Sequence, residues 1–188
     1  MGDDMRVEDP RVLMVDDEKR VADAYALRLE DVADVAVAYG GEEALAVLDE
    51  QRVPDVVLLD RHMPGLSGDE VLERVRERDL TTRVVMVTAI DPDLGVLDMP
   101  FDDYLSKPVE REDLCAAVDQ QCQVLSYELL GEYFSLESTR AVFESDVSTD
   151  DRERVAEIER RCAEVEQRVR SLLPEADELL STFSRIDR

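Results

Sequence analysis

Lysine and long hydrophobic runs are nearly missing from this 188-residue sequence, whose only lysines are Lys19 and Lys107. A membrane-spanning helix needs about 18 consecutive apolar residues, and no stretch approaches that length. Lys and Arg total 22 against 47 Asp and Glu, so the net charge is −25. Because proteins bind nucleic acids by neutralising phosphates with Lys and Arg, this balance argues against direct nucleic-acid binding. We expect a cytoplasmic protein with no membrane partner.

Paired cysteines are also missing. Cys115, Cys122 and Cys162 are odd in number and lack the C-x-x-C spacing of redox and zinc motifs, so we interpret them as small buried hydrophobic residues. Hydrophobic residues still make up 44% of the chain, which is enough for a packed core. Many carboxylates with few lysines resemble the composition of proteins from extremely halophilic archaea, and molar salt would screen their repulsion.

Short apolar runs alternate with helical periodicity from Arg11 to about Val124. Five runs have strand character, and a helical pattern or a turn separates each from the next. The predicted strands are 11–15, 35–38, 55–60, 84–88 and 104–106. This alternation predicts an α/β fold with a doubly wound parallel sheet.

Charged residues follow three of these strands. Asp16 and Asp17 end the first strand, Asp60 ends the third, and Lys107 follows the fifth. Sites in doubly wound sheets lie at the carboxyl ends of the strands, so we expect these groups to converge. Carboxylates so close together need a compensating cation, and Mg²⁺ is a divalent ion that prefers oxygen ligands.

The motifs at the strand ends together resemble the receiver domain of two-component response regulators. They are the acidic pair Asp16-Asp17, the run Leu-Leu-Asp-Arg-His-Met-Pro-Gly-Leu-Ser-Gly around Asp60, Thr88-Ala89 and Lys107-Pro108. The resemblance covers about residues 11–125 and implies a flavodoxin-like, five-stranded sheet with strand order 2-1-3-4-5. We expect a disordered tail over residues 1–9, a receiver domain over 10–125 and a helical domain over 126–188.

The resemblance also implies functional roles. Asp60 would be the phosphoacceptor, taking a phosphoryl group from a sensor histidine kinase. The implied Mg²⁺ ligands are Asp16, Asp17, Asp60 and the backbone carbonyl of His62. The implied phosphoryl-contacting and switch residues are Thr88, Ala89, Lys107 and Tyr104. One departure concerns residues 88–107, a stretch that is rich in Pro and Gly and predicts no full fourth helix.

The C-terminal segment has a different character. A hydrophobic stripe at alternating spacings of three and four residues predicts a helix. Its members are Val155, Ile158, Cys162, Val165, Val169 and Leu172. Two interpretations stay open: a parallel coiled-coil homodimer through this stripe, or a hairpin in which the stripe packs on an aromatic-rich helix over 126–146. Pro174 should interrupt the helix. The segment resembles the HalX domain of haloarchaea.

Three functions compete at this point. The first is a phosphorylation-controlled switch, not an enzyme, that changes contacts with an unknown downstream protein. The second is a transcriptional regulator acting on DNA directly or through a partner, although the segment 126–188 carries 9 Arg against 16 Asp and Glu. The third is a Mg²⁺-dependent phosphatase, whose usual second acid two residues after the nucleophile is replaced here by His62.

Overall fold

The computed structural model describes residues 9–49, 53–78, 80–89, 99–144 and 152–184. Up to residue 106 the described elements are strands and helices, and after it they are helices alone. The elements are β1 (Arg11–Val15), α1 (Lys19–Leu29), β2 (Asp34–Ala38), α2 (Gly41–Leu48), β3 (Val56–Leu59), α3 (Gly68–Glu77), β4 (Arg83–Thr88), β5 (Asp103–Ser106), α4 (Arg111–Glu144), α5 (Arg152–Leu172) and α6 (Ala176–Ser184).

The five strands form one parallel sheet in the order β2-β1-β3-β4-β5. This order confirms the predicted fold. In the register of the sheet, Val15 pairs with both Ala38 and Leu59, and Thr88 pairs with Ser106. The last residues of neighbouring strands therefore lie side by side, and the residues that follow them share one edge of the sheet.

The core of the α/β part is built on the three central strands. β3 is buried along its whole length, and so are four of the five residues of β1 and five of the six residues of β4. Strands covered by helices on both faces lose their polar face, which explains the continuous runs of Val, Leu and Met. A rigid, close-packed sheet of this kind holds whatever follows its strands in fixed positions.

The segment between β3 and α3 is fixed by a helix cap and a close backbone approach. The Ser67 side chain accepts from the Glu70 N–H while the Glu70 carboxylate accepts from the Ser67 N–H, a capping box. The Gly68 N–H donates to the Arg61 carbonyl at 2.9 Å. A Cβ at Gly68 would lie 2.2 Å from the Asp60 carbonyl oxygen, so only glycine fits here.

The chain divides into two compact units, an α/β unit over Asp9–Cys122 and a helical unit from Gln123 onward. The domain limits expected from the sequence, 10–125 and 126–188, stay a prediction. Residues 1–8, on which most of the expected disordered tail falls, lie outside the described residues. So do residues 90–98, where the sequence predicts no full helix.

α4 begins in the α/β unit and ends in the helical unit. The sequence predicts helices over 110–125 and 126–146, and the structure has one helix without a break between them. The change to an aromatic-rich composition therefore does not interrupt the helix. The predicted interruption at Pro174 is confirmed, because α5 ends at Leu172 and α6 begins at Ala176.

In the helical unit, α5 buries its hydrophobic stripe within the single chain. Cys162, Val165, Val169 and Leu172 are buried, while Val155 and Ile158 are half-buried. Arg161 of α5 contacts Glu132 of α4 at 2.7 Å. The observed packing matches the hairpin interpretation. Within the described ranges, no helix is both long enough and apolar enough to cross a bilayer.

Candidate functional site

The carboxylates of Asp16, Asp17 and Asp60 meet at the carboxyl edge of the sheet. β1 and β3 are neighbours, and the Asp60 N–H donates to the Val15 carbonyl at 2.9 Å, which fixes Asp60 beside the end of β1. One oxygen from each carboxylate lies within 4.8 Å of the others. Asp16 is 0% exposed and Asp60 6%, whereas Asp17 is half-buried. Among the described residues, this is the one group of three acids or other metal-ligating side chains so close together.

Lys107 places its ammonium between two of these carboxylates. Its Nζ lies 2.6 Å from Asp16 Oδ2 and 2.9 Å from Asp60 Oδ1. Its backbone N–H donates to the Thr88 carbonyl at 2.8 Å, which anchors it next to the end of β4. The peptide bond between Lys107 and Pro108 is cis. The residues 16, 17, 60 and 107 thus converge as the sequence predicts.

The electrostatics of the site are those of an excess of buried negative charge. Burial raises the pKa of Asp60 above its ordinary range, although the hydrogen bond from Lys107 acts in the opposite direction. Burial alone would lower the pKa of Lys107, but its hydrogen bonds to Asp16 and Asp60 together raise it. The Lys107 ammonium therefore does not fully offset the effect of burial on Asp60.

The other predicted site residues lie around this cluster. The His62 N–H donates to Asp60 Oδ2 at 3.2 Å, and the His62 side chain is exposed. Thr88 is buried at the end of β4, and Ala89 after it is exposed. Tyr104 is half-buried and packs against the core beside Phe101, with ring centroids 6.2 Å apart.

Two residues of α1 that the sequence does not single out hold the segment after Lys107. The Val109 N–H donates to the Tyr25 hydroxyl at 3.1 Å, and Arg28 donates to the Val109 carbonyl. The Arg28 guanidinium also lies over the Tyr25 ring, 5.2 Å from its centroid. Because both side chains bind backbone atoms, no residue pattern around Val109 could have revealed them.

The sheet also has a polar network at the amino ends of its strands, opposite to the end that carries Asp60. Asp102 accepts from Arg76 at 2.6 Å and contacts Arg83 at 3.2 Å, while Arg83 donates to the buried Gln121 at 3.0 Å. These contacts join α3, β4, the start of β5 and α4. They lie at the amino ends of the strands, away from Asp60, so we interpret them as structural.

A parallel sheet with an acidic cluster and a lysine at its carboxyl edge defines the class of receiver-like α/β proteins. The family model of the response regulator receiver domain matches residues 12–119, and that of the HalX domain matches residues 123–184. The chain belongs to the response regulator receiver family, with a HalX domain following the receiver domain.

Similar proteins support this assignment. A Haloferax volcanii protein named as a transcriptional regulator is 50% identical over 112 residues, which are 59% of this chain and 19% of that protein. The transcriptional regulatory protein TrcR of Mycobacterium tuberculosis is 40% identical over 110 residues, 56% of this chain and 42% of that protein. The chain therefore spans less than half of either relative. The Haloferax relative fits the acidic, lysine-poor composition.

Solved structures agree with the fold. The receiver domain protein of Methanospirillum hungatei matches with a TM-score of 0.60 at 26% identity, covering 64% of this chain and 99% of that one. The receiver domain of the Francisella response regulator 1452 matches with a TM-score of 0.55 at 32% identity, covering 60% of this chain and 96% of that one.

Proposed function

We propose that this chain is a response regulator whose Asp60 accepts a phosphoryl group from a sensor histidine kinase. Receiver domains are phosphorylated by such kinases. The observation that carries the proposal is the placement of Asp60, whose carboxylate lies 2.9 Å from the Lys107 ammonium and shares the cluster with Asp16 and Asp17. Burial raises the pKa of Asp60, which fits a carboxylate withdrawn from water at a functional site.

The donor set fits Mg²⁺. Asp16, Asp17 and Asp60 supply hard carboxylate oxygens, and the backbone carbonyl of His62 is the proposed fourth ligand. The ion would supply positive charge to the phosphoryl oxygens and to the uncompensated carboxylates. Lys107 alone leaves those carboxylates with excess negative charge, which is what a divalent cation would correct.

The proposed transfer needs little chemistry from the protein. An Asp60 oxygen attacks phosphorus in line with the phosphohistidine nitrogen, so a P–O bond forms as the P–N bond breaks and the histidine nitrogen regains its electron pair. Lys107 neutralises charge on the phosphoryl oxygens during this step. The proposed response is that the Thr88 hydroxyl and the Ala89 backbone turn towards the phosphoryl group while Tyr104 moves inward. The exposed His62 side chain would tune the access of water to the acyl phosphate.

The proposed output is a change in protein contacts through the receiver domain and the helical domain, over residues 10–125 and 126–188. The relatives named as transcriptional regulators favour one particular version of it, the control of transcription. Direct DNA binding is less suited to the acidic helical domain. Between residues 126 and 188 the domain has nine arginines and sixteen Asp and Glu residues, so its net charge is negative.

Labelling with a small phosphodonor tests the proposal. The full chain in molar KCl with acetyl phosphate and Mg²⁺ should gain the mass of one phosphoryl group. Adding a chelator before the donor should prevent this labelling. Asp60→Asn should abolish labelling, whereas the control Asp34→Asn, an exposed strand residue of β2, should label normally. Labelling of Asp60→Asn at another residue, or repeated turnover of free donor in place of a single label, would contradict the proposal.

A further inference from the structure

One face of the second half of α4 is exposed and almost free of charge. Val124, Tyr127 and Val142 are 36%, 56% and 71% exposed, and they are three of the five exposed large hydrophobic residues in the described part of the chain. Small residues stand between them at helical spacing. The face, which we call the α4 stripe, comprises Val124, Tyr127, Gly131, Ser135, Ser138, Thr139 and Val142.

The charge on the α4 stripe contrasts with that of the rest of the molecule. Charged residues make up 37% of the sequence, but this face carries one charged residue, the exposed Glu128, which the helical spacing places between Val124 and Thr139. The opposite face of α4 carries the buried residues Leu125 and Leu129. Two copies of a chain with a net charge of −25 repel each other over most of their surface. A face with a single carboxylate is therefore where two copies can meet at least electrostatic cost.

Gly131 has no role within the chain that would explain it. It lies inside a helix without a positive φ, and a Cβ there would meet nothing within 4 Å. Glycine in a helix interior is less stable than alanine, so neither backbone conformation nor internal packing favours it. A glycine on an exposed helix face allows the backbone of a second helix to approach closely.

The α4 stripe is also symmetric about its midpoint at position 133. Val124 and Val142 lie nine positions on either side, Tyr127 and Thr139 six, and Gly131 and Ser135 two. In an antiparallel pair about a twofold axis, valine would face valine and Gly131 would face Ser135. Tyr127 would face Thr139, and Glu128 would face the hydroxyl-bearing Ser138. A parallel pair would instead place Glu128 beside its own copy, which like-charge repulsion disfavours.

We propose that the α4 stripe is a homodimer interface in which two copies pair antiparallel through residues 124–142. This differs from the coiled coil through α5 considered from the sequence, because Cys162, Val165 and Val169 are already buried inside one chain. A contact about 27 Å long and 10 Å wide covers about 270 Å² of each copy, well below the area of a standard specific interface. The dimer should therefore be weak and depend on protein concentration.

The oligomeric state of the full chain in molar KCl tests the proposal. Analytical ultracentrifugation should show a monomer–dimer equilibrium that Gly131→Glu weakens at least tenfold. The matched control Ala163→Glu, an exposed small residue of α5, should leave it unchanged. Gly131→Glu should keep its helical circular dichroism, since glutamate is the better helix former. A monomer at all concentrations, or a dimer insensitive to Gly131→Glu, would overturn the interface.

Disulfide trapping tests the orientation. Val124→Cys and Val142→Cys chains, mixed and oxidised, should form a mixed disulfide dimer and little of either symmetric one. In the antiparallel pair, position 124 faces position 142 of the partner, whereas two copies of position 124 are about 27 Å apart. Symmetric disulfides from each single variant would indicate a parallel pair and contradict the proposal. Neither experiment needs Asp60 phosphorylation, so a failure here leaves the proposed function intact.

Discussion

Carboxylates of the α/β unit and of the helical unit have very different surroundings. Asp16 and Asp60 follow adjacent strands, are almost fully buried and share one ammonium. In α5, Glu157 and Arg160 form an ion pair at 2.6 Å with side chains 64% and 67% exposed. The backbone of the sheet fixes the positions of the buried acids, so they cannot move apart. The exposed pair can separate, and water then solvates each side chain. Acidic composition alone therefore does not identify a functional site. The placement of the carboxylates at the strand ends does.

Removing the ammonium from the buried cluster should have the largest effect on stability. Lys107→Ala leaves Asp16 and Asp60 buried without a cation, which costs about 3 kcal/mol of the free energy of unfolding in metal-free buffer at pH 7. Chemical denaturation measures the loss. Lys19→Ala, which removes the exposed lysine, should change stability little. Equal losses for both lysine variants would mean that the buried carboxylates depend on a nearby cation no more than the surface does.

Adding Mg²⁺ should stabilise one unit and not the other. Binding to the cluster stabilises the folded α/β unit by about 2.7 kcal/mol at a hundred times the dissociation constant. Hydrogen exchange should show protection at β1 and β3 and none in α5. Asp17→Asn should weaken the effect, since it removes one of the three acids. Uniform protection of both units, or an unchanged response in Asp17→Asn, would argue for non-specific screening.

Neutralising Asp60 should make the stability of the α/β unit less dependent on pH. Burial raises the pKa of Asp60 above its ordinary 3.8, so the folded chain holds this proton to a higher pH than the unfolded chain does. Stability from this group is thus highest below pH 3.8 and is lost as pH rises through the folded pKa. In metal-free buffer, Asp60→Asn should raise the melting temperature by a few degrees at pH 7 and by less at pH 4. A lower melting temperature at pH 7 would mean that Lys107 overcompensates the charge.

Loosening the segment after Lys107 should have an intermediate effect. Tyr25→Phe removes the acceptor of the Val109 N–H and should cost about 1 kcal/mol. It should also slow labelling of Asp60, because Lys107 lies two residues before Val109. Tyr39→Phe is the control, since its hydroxyl donates to Asp23 on the surface. A stability loss without slower labelling would make the contact purely structural.

The sequence predicts the α/β unit better than the helical unit for a physical reason. Strand ends, turns and a cluster such as Asp16, Asp17, Asp60 and Lys107 depend on the chain order of a doubly wound sheet, which leaves few alternatives. Helix contacts depend on which face meets which. The stripe on α5 reveals its buried face, but whether that face meets α4 or another chain is decided by packing. The contacts of Tyr25 and Arg28 with Val109 leave no pattern at all, because they involve backbone atoms.

The smallest effect is expected on the surface of the helical unit. Arg160→Ala removes largely exposed ion pairs with Glu157 and Glu164 and should give no resolvable change in melting temperature in molar KCl, where salt screens exposed pairs over about 3 Å. Arg161→Ala should lower it slightly, since Arg161 contacts Glu132 across the hairpin and is half-buried. Equal effects of the two substitutions would mean that the contact between Arg161 and Glu132 stabilises the protein no more than the exposed pair of Arg160 and Glu157 does. A larger effect of Arg160→Ala would place an unrecognised partner on the exposed face of α5.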